Sequence, residues 1–157
     1  MLMKTKFYRG LFAGLLFVSA SIVTSCKDDN ENVAPETLYM RLGGIDAISA
    51  VTDKFRSNVV ADNVINARFE ATVADEFRLR LLRTNLIDQI CAGSGGPCQY
   101  KGLSMMEAHA GMDISTTEFN ALVGDLVAAL DFYSVPETEK NELLAVLGPL
   151  QSQIVGQ

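Results

Sequence analysis

The sequence predicts an all-α fold, and three observations carry that prediction. Apolar residues beyond position 36 recur at spacings of three and four, the period of a helix with one buried face. No stretch of useful length alternates apolar with polar residues as a half-buried strand would. Helix-opening and helix-ending residues punctuate the chain at intervals that suit about four substantial helices and two short ones.

Thr37 to Leu42 reads as a short first helix, broken by Gly43 and Gly44. Ile45 to Val60 follows, with Ile48, Val51, Phe55 and Val59 on one face. Ala61 to Val73 is turn-rich, with Asn63, Asn66 and one large aromatic, Phe69. Asp75 to Cys91 is the next helix; Phe77, Leu81, Leu82, Leu86 and Ile90 form its apolar stripe, and the glycine-rich run from Ala92 to Pro97 ends it. Ser104 with Glu107 is a capping box: the Ser oxygen accepts from a free backbone N–H of the first turn while the Glu reaches back to the cap. It opens a very short helix that carries His109 and that Gly111 closes. Ser115 and Glu118 repeat the pattern ahead of a strongly amphipathic helix, where Phe119, Leu122, Val123, Leu126, Val127 and Leu130 share a face. Ser134 to Glu137 starts the last helix, with Pro136 where early helix positions tolerate a missing N–H. That helix sets Leu143, Leu147, Leu150 and Ile154 on one face, and Pro149 inside it predicts a kink.

The N-terminal segment reads as targeting, not fold. Lys4, Lys6 and Arg9 precede an apolar run from Leu11 to Val23, too short to span a bilayer, which is the build of an export signal. Val23-Thr24-Ser25-Cys26 then supplies an aliphatic residue, two small residues and a Cys, the pattern of a bacterial lipobox whose Cys receives lipid after cleavage. On this reading residues 1–25 are a lipoprotein signal peptide, Cys26 is the lipidation site, 26–36 are a flexible polar tether and 37–157 are the one folded domain. It places the protein in the cell envelope, held to the outer membrane through its lipid anchor. Lys27-Asp28-Asp29 directly after the Cys resembles the surface-export signals of some Gram-negative lipoproteins.

Charge narrows the partners. Of thirteen Lys and Arg, three precede residue 26, so ten remain against nineteen Asp and Glu, a formal charge of about −9. Such a surface repels nucleic acid, and no basic stripe interleaved with aromatics appears. Cys91 and Cys98 face an oxidising compartment after export, where a disulfide between them is open but not fixed by sequence. His109 is the only histidine. One imidazole cannot build a multi-histidine metal site, but it can hold a haem iron as a single axial ligand.

Several segments together resemble the group I truncated haemoglobins. Leu38, Tyr39, Gly43 and Gly44 are similar to that family's opening helix and double-glycine break. Phe55 ahead of Val59-Val60-Ala61-Asp62 resembles its second helix, and Phe69 its haem-stacking aromatic. Gly95-Gly96-Pro97 through Tyr100 and Gly102 resembles its second glycine-rich stretch and Tyr-x-Gly turn. Met105, His109, Gly111 and Ile114 match its proximal motif, and Phe119, Leu122, Val123, Gly124 and Leu126 the helix that follows. The likeness runs from about Thr37 to Val155. It implies a two-over-two helical sandwich around haem b, with His109 on the iron. Phe55, Phe69, Leu82, Leu86 and Ile90 would line one side of the haem, and Met105, Ile114, Phe119 and Val123 the other.

The chain departs from the family on the distal side. The family often has a ligand-binding Tyr after the Phe of its second helix, where this chain has Arg56. Its distal helix often supplies Gln, whereas an ungapped count back from Gly95 puts Leu82 and Leu86 there. The expectation is an apolar distal pocket with Arg56 solvated on a helix edge, and hence weak stabilisation of bound dioxygen. The resemblance implies reversible binding of dioxygen or another diatomic gas such as nitric oxide. Nitric oxide dioxygenation would need an external electron donor. A haem-free interaction module and a haem carrier at the membrane surface are the competing readings.

Overall fold

The computed structural model describes residues 35–157. The signal peptide, Cys26 and the tether up to residue 34 lie outside the described residues. Helix α1 (Leu38–Arg41) starts where the Thr37 hydroxyl accepts from the Met40 N–H. Gly43 and Gly44 then adopt φ values of 91° and 74°, the left-handed region that favours glycine. A Cβ on Gly43 would also stand 2.9 Å from that of Ala47, so the double glycine lets α2 (Gly44–Ala61) begin at once.

The stretch expected to be turn-rich ends in two short helical segments. A 3-10 turn over Asn66–Phe69 leads into α3 (Glu70–Val73). Helix α4 (Glu76–Gly93) is capped by Asp75, whose carboxylate accepts from the Phe77 and Arg78 N–H groups at 2.9 and 3.1 Å. Both capping boxes form as expected, opening α5 (Met105–His109) and α6 (Thr116–Phe132). Helix α7 (Glu137–Leu147) follows Pro136. The expected kink at Pro149 is instead an end: α7 stops at Leu147 and the chain continues as a 3-10 turn over Gly148–Gln153. Pro149 has no N–H to extend the α-helical ladder.

Helix α2 packs along both α4 and α6, and α7 packs on α1 and α4. Val51, Phe55, Ile90, Cys91, Leu126, Leu130 and Leu143 lie in the main core between them. Arg41 fastens α1 to α7 through Glu139 and Glu142. Cys91 and Cys98 are joined by a disulfide with Cα atoms 5.7 Å apart, fixing the glycine-rich loop to the end of α4. A smaller cluster of Ile114, Phe119 and Ile154 stands apart from the main core. The C-terminus reaches it by pairing with the segment after α5: the Gly156 N–H donates to the Ile114 carbonyl and the Asp113 N–H to that of Gln157, at 3.0 and 2.8 Å.

The stripe expected on α4 is only partly core. Ile87, Ile90 and Cys91 are its buried residues, while Phe77 and Leu81 are 65% and 48% exposed. The C-terminal half of α4 meets α2 and α7. Its N-terminal half, with Leu79, Leu81 and Leu82, faces a cavity.

Candidate functional site

The cavity has a volume of about 730 Å³ and is lined by α2, α3, α4, α5 and the start of α6. Pockets of about 300–1,000 Å³ hold drug- and cofactor-sized molecules. The 3-10 turn and α3, which wall one side through Phe69, Thr72 and Val73, are positioned by the Asp62 turn that ends α2.

His109 ends α5 and lines the cavity. Its Nδ1 lies 2.7 Å from the Met105 carbonyl oxygen. A carbonyl can only accept, so Nδ1 carries the proton and Nε2 keeps a free lone pair. A second partner that fixes tautomer and ring orientation is what a metal-ligating imidazole needs. Gly111, at φ 76°, turns the chain sharply after α5 and lets Ile114 and Phe119 close the same wall. The Tyr100 hydroxyl donates to the Leu103 carbonyl at 2.8 Å and burial pushes its phenol pKa up. A Cβ on Gly102 would collide with the Tyr100 ring and hydroxyl, which explains the Tyr-x-Gly turn leading into α5.

Of the residues expected at the site, Phe55, Phe69, Leu82, Leu86, Met105, His109, Ile114 and Phe119 line the cavity together. Two do not. Ile90 is one helical turn beyond Leu86 and lies in the main core, packed with α2 and α7 residues. Val123 packs behind Phe119 against the Ile114 cluster without reaching the cavity wall.

The distal wall is more polar than expected. Arg56 lines the cavity with only 21% of its side chain exposed, in place of the solvated position expected. One of its terminal nitrogens donates to Asp53 at 3.2 Å, while its Nε is buried with no partner among the described residues. Asp53 also accepts two bonds from Arg83 on α4, at 2.7 and 2.8 Å. Those bonds hold the Asp53 carboxyl below the usual carboxylate range. Asn85 and Gln89 line the cavity too, and the Gln89 amide reaches the Met105 sulfur at 3.5 Å. Their spacing of three and seven from Leu82 was the available signal. At the rim, Arg68 donates to Glu118 at 2.7 Å and to the Met112 carbonyl at 2.7 Å, bridging the two walls. Arg78 stands nearby with 63% of its side chain exposed.

Among the described residues no three His, Cys, Asp or Glu side chains cluster as ligands. One oriented imidazole in a largely apolar slot suits a metal whose other donors come from a flat macrocycle. The profile of the family described as "Bacterial-like globin" matches residues 37–155. The chain belongs to the bacterial-like globin family. The globin is 31% identical to a group 1 truncated hemoglobin of Tetrahymena pyriformis, over 78% of this chain and 98% of that protein. It is 30% identical to the group 1 truncated hemoglobin GlbN of Mycolicibacterium paratuberculosis, over 76% of this chain and 85% of that one. The crystal structure of the Tetrahymena pyriformis protein in its Fe(III) form superposes with a TM-score of 0.71, at 29% identity, covering 78% of this chain and 100% of that one. That of the 2/2 hemoglobin from Synechococcus sp. PCC 7002, with covalently attached heme, gives 0.66 at 26% identity, covering 75% and 95%. The globin therefore has the two-over-two truncated fold that its motifs imply.

Proposed function

We propose that this globin binds haem b through His109 and reversibly takes up dioxygen or another diatomic ligand such as nitric oxide. The observation that carries the reading is the His109 ring, fixed by Met105 so that Nε2 is the free nitrogen of a cavity about 730 Å³ in volume. When bound, the haem would supply the redox-active iron that takes up the gas. The chain supplies the rest. The Met105 carbonyl orients the His109 imidazole that would hold the iron. Phe55, Phe69, Leu82, Leu86, Ile114 and Phe119 exclude water and offer an apolar contact surface. Arg78 at the rim offers a guanidinium to a haem carboxylate.

Two further elements belong to the same reading. Val23-Thr24-Ser25-Cys26 supports lipidation at Cys26, which would tether the globin to the membrane on the exported side of the envelope. Nitric oxide dioxygenation is an extension of gas binding, and turnover would draw electrons from an external reductant. The test is the absorption spectrum of the purified protein, reduced, before and after carbon monoxide. A Soret band that sharpens and shifts with the gas supports the reading. No Soret band, even after added haem, overturns it in favour of a haem-free module.

A further inference from the structure

The 3-10 turn and α3, residues 66–73, wall one side of the cavity, yet none of their residues is buried. A segment with so little buried surface lies at the low end of local stability and opens before the core does. Ile65, just ahead of it, is 3% exposed and gives it a firm base. Arg68 ties the segment down on the other side. Its Nε and one terminal nitrogen donate to the two carboxylate oxygens of Glu118, at 2.7 and 3.3 Å. The other terminal nitrogen donates to the Met112 carbonyl at 2.7 Å. Each nitrogen of the guanidinium is thus used, and the two-pronged grip on a carboxylate fixes its direction. Both partners belong to the opposite wall. Glu118 lies in the first turn of α6, where it also accepts from the Ser115 hydroxyl. Met112 stands between Gly111 and Asp113, at φ 76° and 49°, and its N–H donates to the His109 carbonyl at 3.0 Å. Arg68 and Met112 both line the cavity and are both exposed, so these bonds cross its solvent edge.

We propose that residues 66–73 are a flap at the cavity mouth and that Arg68 is the strap holding it shut, so that parting of Arg68 from Glu118 sets how fast haem enters and leaves. The inference rests on haem as the guest of the cavity, as argued above. With the strap made, the segment carrying Phe69 is pinned to the segment that follows His109. A rigid planar molecule then passes only when those bonds part. Exposure to water keeps the net worth of the pair small, so it opens often and delays passage without dominating affinity. A strap made equally over the empty and the filled cavity favours neither state. It therefore changes entry and exit by the same factor.

The experiment measures haem association with the apo protein, and haem transfer to an excess of an apo acceptor, for wild type, Arg68→Gln, Glu118→Gln and the double variant. Each single variant should speed both processes about two- to fivefold, the scale of one exposed ion pair, and leave affinity within about twofold. The double variant should be no faster than either single one, because both remove the same interaction. Charge makes the test strict. Haem carries two carboxylates, so simple attraction would slow association when Arg68 is lost and speed it when Glu118 is lost. The strap predicts acceleration in both cases. Opposite signs would therefore overturn the proposal. Faster release with unchanged association would overturn it too, making Arg68 a contact that stabilises the haem-bound form. Unchanged rates in the single variants would show that the pair holds nothing shut. A haem-free arm follows entry of the neutral apolar dye Nile red into the empty cavity, which should quicken in the same variants. Failure of the haem reading is distinct: it removes the Soret band from every variant, wild type included, while dye entry still decides for or against the flap.

Discussion

Ile154→Ala and Leu130→Ala should separate haem retention from global stability. Ile154 is 8% exposed, lines the cavity and closes the small cluster with Ile114 and Phe119. Truncation removes three buried carbons at about 0.8 kcal/mol each, or about 2 kcal/mol after partial relaxation. The cluster is separate from the main core and braces the segment just after His109. Most of the loss therefore falls on the haem-bound proximal wall. At 1.4 kcal/mol per tenfold it amounts to roughly a thirtyfold loss of haem affinity, read chiefly as faster release. Leu130 is 1% exposed in the main core and does not line the cavity. Its truncation should cost about 2–5 kcal/mol of unfolding free energy and change haem release little. Stopped-flow transfer of haem to an excess of an apo acceptor measures the first quantity, and denaturant unfolding of the apo protein the second. If both variants shift release and stability in the same proportion, the two clusters act as one and the reasoning fails.

Three other outcomes follow from particular residues. Reducing the Cys91–Cys98 disulfide frees a loop of eight residues and should cost about 2.5 kcal/mol by loop-closure entropy; a Cys98→Ser protein should then show no response to reductant. An unfolding midpoint in the wild type that ignores reductant would count against this. The Arg68 hydrogen bond, with help from the Ser115 cap, lowers the Glu118 pKa to about 2 from 4.5. Its contribution is complete above pH 4.5 and is lost as pH falls from there through about 2, so Glu118→Gln should flatten the acid limb of a stability–pH profile, and an unaltered limb would refute the assignment. Cys26→Ser should abolish lipid attachment and release the protein from the membrane fraction; an unmodified wild-type N-terminus at another position would contradict the lipobox.

The elements with local signals were legible from sequence. Ser104 with Glu107 and Ser115 with Glu118 each placed a helix start to the residue, and Gly43-Gly44 marked its break, because caps and left-handed turns are decided by neighbours in the chain. His109 stood out because it is the only imidazole and stands in a dense motif, and the structure places it on the cavity wall. The distal side was not. Phe77 and Leu81 share the helical period of Leu82 and Leu86, but where a helix passes from core to cavity is set by tertiary partners that periodicity does not encode. Ile90 was drawn into the site for the same reason. Arg56 looked like an ordinary solvated helix residue, whereas it lines the cavity and shares Asp53, its neighbour on α2, with Arg83 of α4, a tertiary contact that periodicity does not encode. Pro149 was expected to bend a helix and instead ends it, since the turn that follows tightens to a 3-10 geometry.

The most direct test of the account is haem titration of wild type and His109→Gly, each with and without imidazole, followed by absorption spectroscopy. Wild type should take up one equivalent of haem with a sharp Soret band indifferent to imidazole. His109→Gly should bind haem weakly, with the axial-ligand spectrum lost, and imidazole should restore that spectrum by filling the vacated position beside Met105 and Ile114. A His109→Gly protein with wild-type spectrum and haem affinity in the absence of imidazole would contradict the assignment of His109 as the iron ligand.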